Sequence, residues 1–106
     1  MNAIAVQVRF AATKRLLFLP HAVKQMSRPE RMITVDEVKQ TVLRGKVIED
    51  YPEDVRGHSC LIAKLVGPGR AVHVVCSPKE DYVAIITAYV PEAEMWDSRF
   101  EVRREP

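Results

Sequence analysis

The sequence predicts a single α+β domain in which two N-terminal helices cover one face of an antiparallel sheet of four or five strands. Three observations predict it. Residues 20–44 carry helical periodicity and two helix-start signals. After Gly45 the apolar period falls from helical to alternating. Turn-forming clusters then divide residues 46–90 into four segments of strand length. Consecutive strands with short links form a meander, and helices that precede them pack on one face of it.

The elements follow in order. IAVQVRF (4–10) sets Ile4, Val6, Val8 and Phe10 against smaller or polar residues, which reads as a strand. LLFL (16–19) is a short apolar run leading into Pro20, whose missing N–H suits the first turn of a helix. That helix has Ala22, Val23 and Met26 on its apolar side. His21, Lys24, Gln25 and Arg28 fall at i, i+3, i+4 and i+7, a polar stripe that Pro29 ends. Thr34-Val35-Asp36-Glu37 is a capping box that starts a second helix running to about Arg44. Val35, Val38 and Val42 are its core positions, and Gly45 stands where a left-handed C-terminal residue is wanted. The strands are 46–51, 59–66, 71–77 and 82–90. Pro52-Glu53-Asp54, Gly67-Pro68-Gly69 and Pro78-Lys79-Glu80-Asp81 separate them. Pro91 stops the last strand, and EAEMW (92–96) is expected to make a helical turn that lays Trp96 over a sheet edge.

Composition fits an ordinary globular chain. It has 106 residues, 47% of them hydrophobic and 28% charged, with a net charge of +2. No apolar run reaches the ~20 residues of a membrane-spanning helix, so no membrane partner is expected and a cytoplasmic setting is. Cys60 and Cys76 form no C-x-x-C pair; two buried, reduced thiols are expected, with no metal and no cofactor. Charge is unevenly spread. Residues 1–29 carry Arg9, Lys14, Arg15, Lys24 and Arg28 and no acid, a balance that suits an anionic partner such as RNA.

Strand parity sorts the polar residues. Glu49 and Tyr51 point to one face of their strand and Ile48 to the other; His73 opposes Val72, Val74 and Cys76; Thr87 and Tyr89 share a side. If the helices cover the Ile48/Val72/Val74 face, then Glu49, Tyr51, His73, Thr87 and Tyr89 line an open one. A carboxylate, a histidine, tyrosines and nearby arginines suit RNA cleavage without a metal. That reaction needs a base for the 2′-OH proton, an acid for the leaving oxygen and cations for the charge on phosphorus. Histidine serves either proton role near neutral pH. Arginine matches phosphate oxygens, and tyrosine donates a proton or stacks on a base. Each residue also has an ordinary explanation. A histidine in an apolar strand is commonly a hydrogen-bonded core residue, Arg28 and Arg31 pair readily with Glu30, and His58 reads as exposed and idle. No phosphate-loop, dinucleotide-binding or serine-hydrolase motif occurs.

The pieces HA (21–22), RPER (28–31), MITVDEV (32–38), LRGKVIEDYPED (43–54), SCL (59–61), HVV (73–75) and ITAYVPEAEMW (86–96) occur in this order. Together they resemble a widespread family of small bacterial domains. The resemblance covers residues 17–96, with 1–16 an N-terminal extension read as an extra strand and 97–106 a tail. It implies a fold similar to the RelE-like toxins and to the barnase, EndoU and colicin ribonucleases. It also implies the toxin half of a toxin–antitoxin pair, whose partner is a small protein with a zinc finger and a helix-turn-helix. The family's recurring polar positions match His21, Arg28, Arg31, Glu49, Tyr51, His73 and Tyr89.

The expected function is therefore an RNA-cleaving toxin domain. His21, His73, Glu49 and Tyr89 are its candidate proton carriers, and Arg28, Arg31, Lys24 and Tyr51 its RNA contacts. The alternative is a non-catalytic module that binds a partner by strand addition at a sheet edge or at residues 4–10. A symmetric homodimer is a third expectation.

Overall fold

A computed structural model describes residues 3–104. In chain order it contains α1 (Ala3–Ala12), β1 (Leu16–Phe18), α2 (Pro20–Met26), α3 (Val35–Arg44), β2 (Lys46–Tyr51), β3 (Ser59–Gly67), β4 (Arg70–Pro78), β5 (Val83–Tyr89) and a 3₁₀ turn (Ala93–Met95). The class is α+β, with the helices in the N-terminal part of the chain packing on a five-stranded sheet.

β2 to β5 form the expected antiparallel meander. The fifth strand is β1, and it pairs with β5 in parallel, so the sheet is mixed with order β1-β5-β4-β3-β2. Residues 4–10 are not a strand; they lie in α1. The alternation of branched residues there is misleading because the alanines between them also carry the core. Ile4, Ala5, Val8, Ala11 and Ala12 are buried, a helical spacing, while Val6 and Phe10 stand in solvent. Arg9 Nη2 donates to the Gly45 carbonyl at 3.0 Å and ties α1 to the end of α3.

α2 starts at Pro20 as expected but stops at Met26, where the Ser27 N–H bonds to the Val23 carbonyl at 3.1 Å. Arg28 therefore lies beyond the helix and leaves the polar stripe. Val23 and Val35, assigned to the core, are half exposed; Ala22, Met26, Val38 and Val42 are buried. The capping box is complete. Thr34 Oγ1 accepts from the Glu37 N–H at 3.0 Å, and Glu37 Oε1 accepts from the Thr34 N–H at 3.0 Å.

The core lies between the three helices and one sheet face, on which Cys60, Ile62, Val72, Val74, Cys76, Val83, Ile85 and Ala88 are buried. Cys60 and Cys76 are direct cross-strand neighbours there, both free thiols. A bulge between Val47 and Glu49 makes Ile48 the extra residue of β2. The bulge leaves Val47 opposite Ile62 on the core face and puts Glu49 opposite Leu61 on the other.

Gly45 is present for space and not for handedness. Its backbone is extended, at φ −77° and ψ 178°. A Cβ there would stand 2.5 Å from the Thr41 carbonyl oxygen, 2.7 Å from Ile62 Cγ2 and 2.8 Å from the Ala63 carbonyl oxygen. The end of α3 thus lies almost on the β3 backbone. Gly45→Ala is expected to destabilise the domain by about 1–3 kcal/mol, the usual range for overpacking. Urea denaturation checks this, and an unchanged midpoint would show that the contact yields freely.

Candidate functional site

The second sheet face carries Leu61, Ala63, His73, Val75, Thr87 and Tyr89, which face one another across β3, β4 and β5. Sequence parity placed Glu49, Tyr51, His73, Thr87 and Tyr89 together, and the register agrees. The face is not open. Leu61 and His73 have none of their surface exposed. Residues 91–104 run across it, and Trp96 sits edge-on to the His73 ring with centroids 4.5 Å apart. Trp96 is itself buried, over the face of the sheet and not over an edge.

His73 is held at both ring nitrogens. Nε2 lies 2.7 Å from the Phe100 carbonyl oxygen, which only accepts, so Nε2 carries the hydrogen. Nδ1 of the neutral ring is then the acceptor, and the Tyr89 hydroxyl, 3.3 Å away, donates to it. Burial pushes the His73 pKa below its ordinary 6.5, with the Phe100 carbonyl and the Glu49 charge pulling the other way. The Phe100 backbone is left-handed, at φ 59°. It is fixed by the turn around Asp97, whose Oδ1 accepts from the N–H groups of Arg99, Glu101 and Val102 at 3.2, 2.9 and 3.4 Å.

A cleft of about 490 Å³ opens between α2, the end of β5 and this C-terminal segment. His21, Gln25 and Arg31 form one wall, Thr87, Tyr89 and Val90 the floor, and Pro91, Met95, Trp96 and Arg103 the other wall, with the Glu92 carboxylate beside Pro91. His21 and Gln25, one helical turn apart, are the part of the predicted stripe that reaches it. Arg31 Nη1 lies 3.5 Å from Gln25 Oε1. The backbone of Arg31 is fixed by Arg70, the first residue of β4, which the sequence did not single out. Arg70 donates to the carbonyls of Arg31 at 3.0 Å and Met32 at 3.4 Å, and grips the Glu37 carboxylate at 2.8 and 3.1 Å. Arg70 in turn holds the Glu37 carboxyl below the ordinary carboxylate range.

Arg103 was also missed, because it lies in the presumed tail. Its guanidinium stacks 4.7 Å from the Trp96 ring centre and donates to Glu49 at 2.8 and 3.2 Å. Glu49 also accepts from the Tyr51 hydroxyl. Arg103 lowers the Glu49 pKa, so the carboxylate stays charged. Burial and the Glu49 carboxylate raise the Tyr51 pKa to about 12.

The family model of Domain of unknown function (DUF4258) matches residues 18–90. The chain belongs to this family. No curated protein and no solved structure matches it. The DUF4258 match contains His21, Arg31, Thr87 and Tyr89 of the cleft; Met95, Trp96 and Arg103 come from the segment that follows it.

Three of the predicted residues, His21, Arg31 and Tyr89, line the cleft. His73 lies beneath it, sealed from solvent, and so does not meet a ligand directly. Glu49 and Tyr51 reach the cleft only through Arg103. Lys24 and Arg28 are exposed and do not line it; Arg28 is 4.0 Å from Glu30. His58 is exposed as expected and lies outside the cleft; its ring pairs with Asp50, and its carbonyl accepts from Ser77 Oγ at 2.7 Å. Among the described residues no group of three or more His, Cys, Asp or Glu side chains is placed to hold a metal ion, and no helix is long and apolar enough to cross a membrane.

The state of His73 has a measurable consequence. The unfolded chain takes up a proton near pH 6.5 and the folded ring resists it. Its contribution to stability is therefore complete above pH 6.5 and is lost as the pH falls from there through the lower folded value. Melting temperature is expected to fall between pH 7 and pH 5, and to fall less in His73→Gln. Equal slopes in both proteins would show that His73 is not the group responsible.

Proposed function

We propose that the cleft binds single-stranded RNA and cleaves it without a metal, as the toxin half of a toxin–antitoxin module. The observation that supports this most is the meeting of an exposed imidazole, two guanidiniums and a tyrosine on one open cleft. They come from four separate parts of the chain, as His21, Arg31, Tyr89 and Arg103.

In this reading His21 takes the proton of a ribose 2′-OH. The freed oxygen attacks the adjacent phosphorus and the bond to the 5′ oxygen breaks. The products are a 2′,3′-cyclic phosphate and a 5′-hydroxyl, which takes its proton from water at the cleft mouth. Arg31 and Arg103 offset the charge that builds on the phosphoryl oxygens. Arg103 is presented by Glu49 and Tyr51, which position it and transfer no proton in the reaction. Burial raises the Tyr89 pKa, so its hydroxyl stays protonated. Lys24 and Arg28 add long-range attraction for the flanking backbone. The partner is an antitoxin of the zinc-finger and helix-turn-helix kind that the family resemblance suggests.

The non-catalytic reading has one observation in its favour. β1 is an edge strand, and beside it Phe18, Val23, Met26, Ile33 and Val35 line an apolar groove of about 380 Å³. An added partner strand would suit that edge.

The test is cleavage of labelled RNA by purified protein, alone and with translating ribosomes. His21→Ala is expected to lower the rate by about 10²–10⁴-fold, the range for losing a general base. Arg31→Ala is expected to lower it by about 10²–10³-fold, with melting temperatures unchanged. Intact RNA in both settings with wild-type protein would sink the nuclease reading and leave the binding module.

A further inference from the structure

We propose that Tyr89 is the residue by which the cleft selects ribose over deoxyribose, acting as a hydrogen-bond acceptor whose direction is set by His73. This rests on the reading of the cleft as an RNA site and adds to it the group recognised.

A tyrosine hydroxyl has one hydrogen and two lone pairs. The Phe100 carbonyl fixes the His73 hydrogen on Nε2, at 2.7 Å, which leaves Nδ1 able only to accept. The Tyr89 hydrogen is therefore committed to Nδ1 at 3.3 Å, away from the ligand. His73 has no exposed surface and is packed by Trp96 and Tyr89, so no water reaches Nδ1 to replace Tyr89 as its donor. What Tyr89 offers the cleft is an oxygen that accepts. A ribose 2′-OH donates to such an oxygen and a 2′-deoxyribose does not. A 2′-fluoro group keeps the ribose-like sugar pucker but has no hydrogen to give. His21 lines the same cleft; the hydroxyl read by Tyr89 keeps its one hydrogen there, so it belongs to a nucleotide beside the one whose 2′-OH gives its proton to His21. His73 is then a positioning residue, and Tyr89 touches the ligand.

The experiment compares three oligonucleotides of one sequence, with 2′-OH, 2′-fluoro and 2′-deoxy sugars. Binding to the full chain is read by fluorescence anisotropy on ice at one fixed salt concentration, with RNA integrity checked on a gel. The 2′-OH strand is expected to bind about three- to tenfold tighter than either analogue, the worth of one net hydrogen bond. Tyr89→Phe is expected to remove the preference, so that the 2′-OH strand binds no tighter than the two analogues. Equal affinity of the 2′-OH and 2′-fluoro strands, both above deoxy, would show selection by sugar pucker and not by a donated hydrogen bond, and overturn the inference. Equal affinity of all three for wild type would overturn it while leaving the RNA cleft standing. No binding of any strand would remove the RNA reading and this inference with it.

Discussion

A neutral imidazole with no exposed surface needs a donor for one ring nitrogen and an acceptor for the other, and His73 imposes that need on this fold. An unpaired polar atom at such a depth costs about 1–3 kcal/mol. The acceptor is the Phe100 carbonyl, which reaches Nε2 only because Phe100 adopts a left-handed backbone. A non-glycine residue in that region is held at a cost of about 1–3 kcal/mol. The Asp97 carboxylate meets part of it by capping three N–H groups of the same turn. That turn also sets Trp96 on the ring and, through the Trp96–Arg103 bridge, delivers Arg103 to Glu49. One buried nitrogen thus fixes the path of a segment that has little regular structure of its own.

Two bidentate arginine–carboxylate pairs act as struts around the cleft. Arg70 on Glu37 clamps the backbone of Arg31 from below. Glu49 grips Arg103 directly. Both pairs are partly exposed, so each adds little net stability. Their effect is geometric, because a planar guanidinium gripped at two points has few rotamers left. The Arg103 guanidinium is therefore ordered before any ligand arrives, and Arg31 is held at its backbone, which lowers the entropy lost on binding.

Legibility in the sequence followed the range of the interactions. Local signals were sufficient for α3, where a capping box and valine spacing sit within ten residues, and for the meander, where turn residues mark every break. Parity was sufficient to place His73, Thr87 and Tyr89 on one face. α1 was misread because alanine is a core residue in a helix and a small spacer in a strand, and the pattern Ile-Ala-Val-Gln-Val satisfies both periods. The parallel pairing of β1 with β5 joins residues about seventy apart in sequence, and nothing local encodes it. The covering of the second face depends on Trp96 and Phe100 meeting His73, again a long-range contact with no local mark. Arg70 and Arg103 went unread as site residues for the same reason.

The boundary of the DUF4258 match runs through this arrangement. The matched span supplies β2 to β5, His21, Arg31 and Tyr89, and it also supplies Leu61, Ala63 and His73 on a face it does not cover. Left bare, that face would put apolar surface and an imidazole into water. The ring would then lose the Phe100 carbonyl that fixes its hydrogen on Nε2, and Nδ1 would no longer be committed to accepting. Tyr89 would be free to turn its own hydrogen toward the cleft. The segment after the match therefore does more than shield the sheet. By choosing which nitrogen of His73 is protonated, it decides whether the floor of the cleft accepts or donates a hydrogen bond. A ligand's preference is in this way written at residues 96–103 as much as at the residues that touch it.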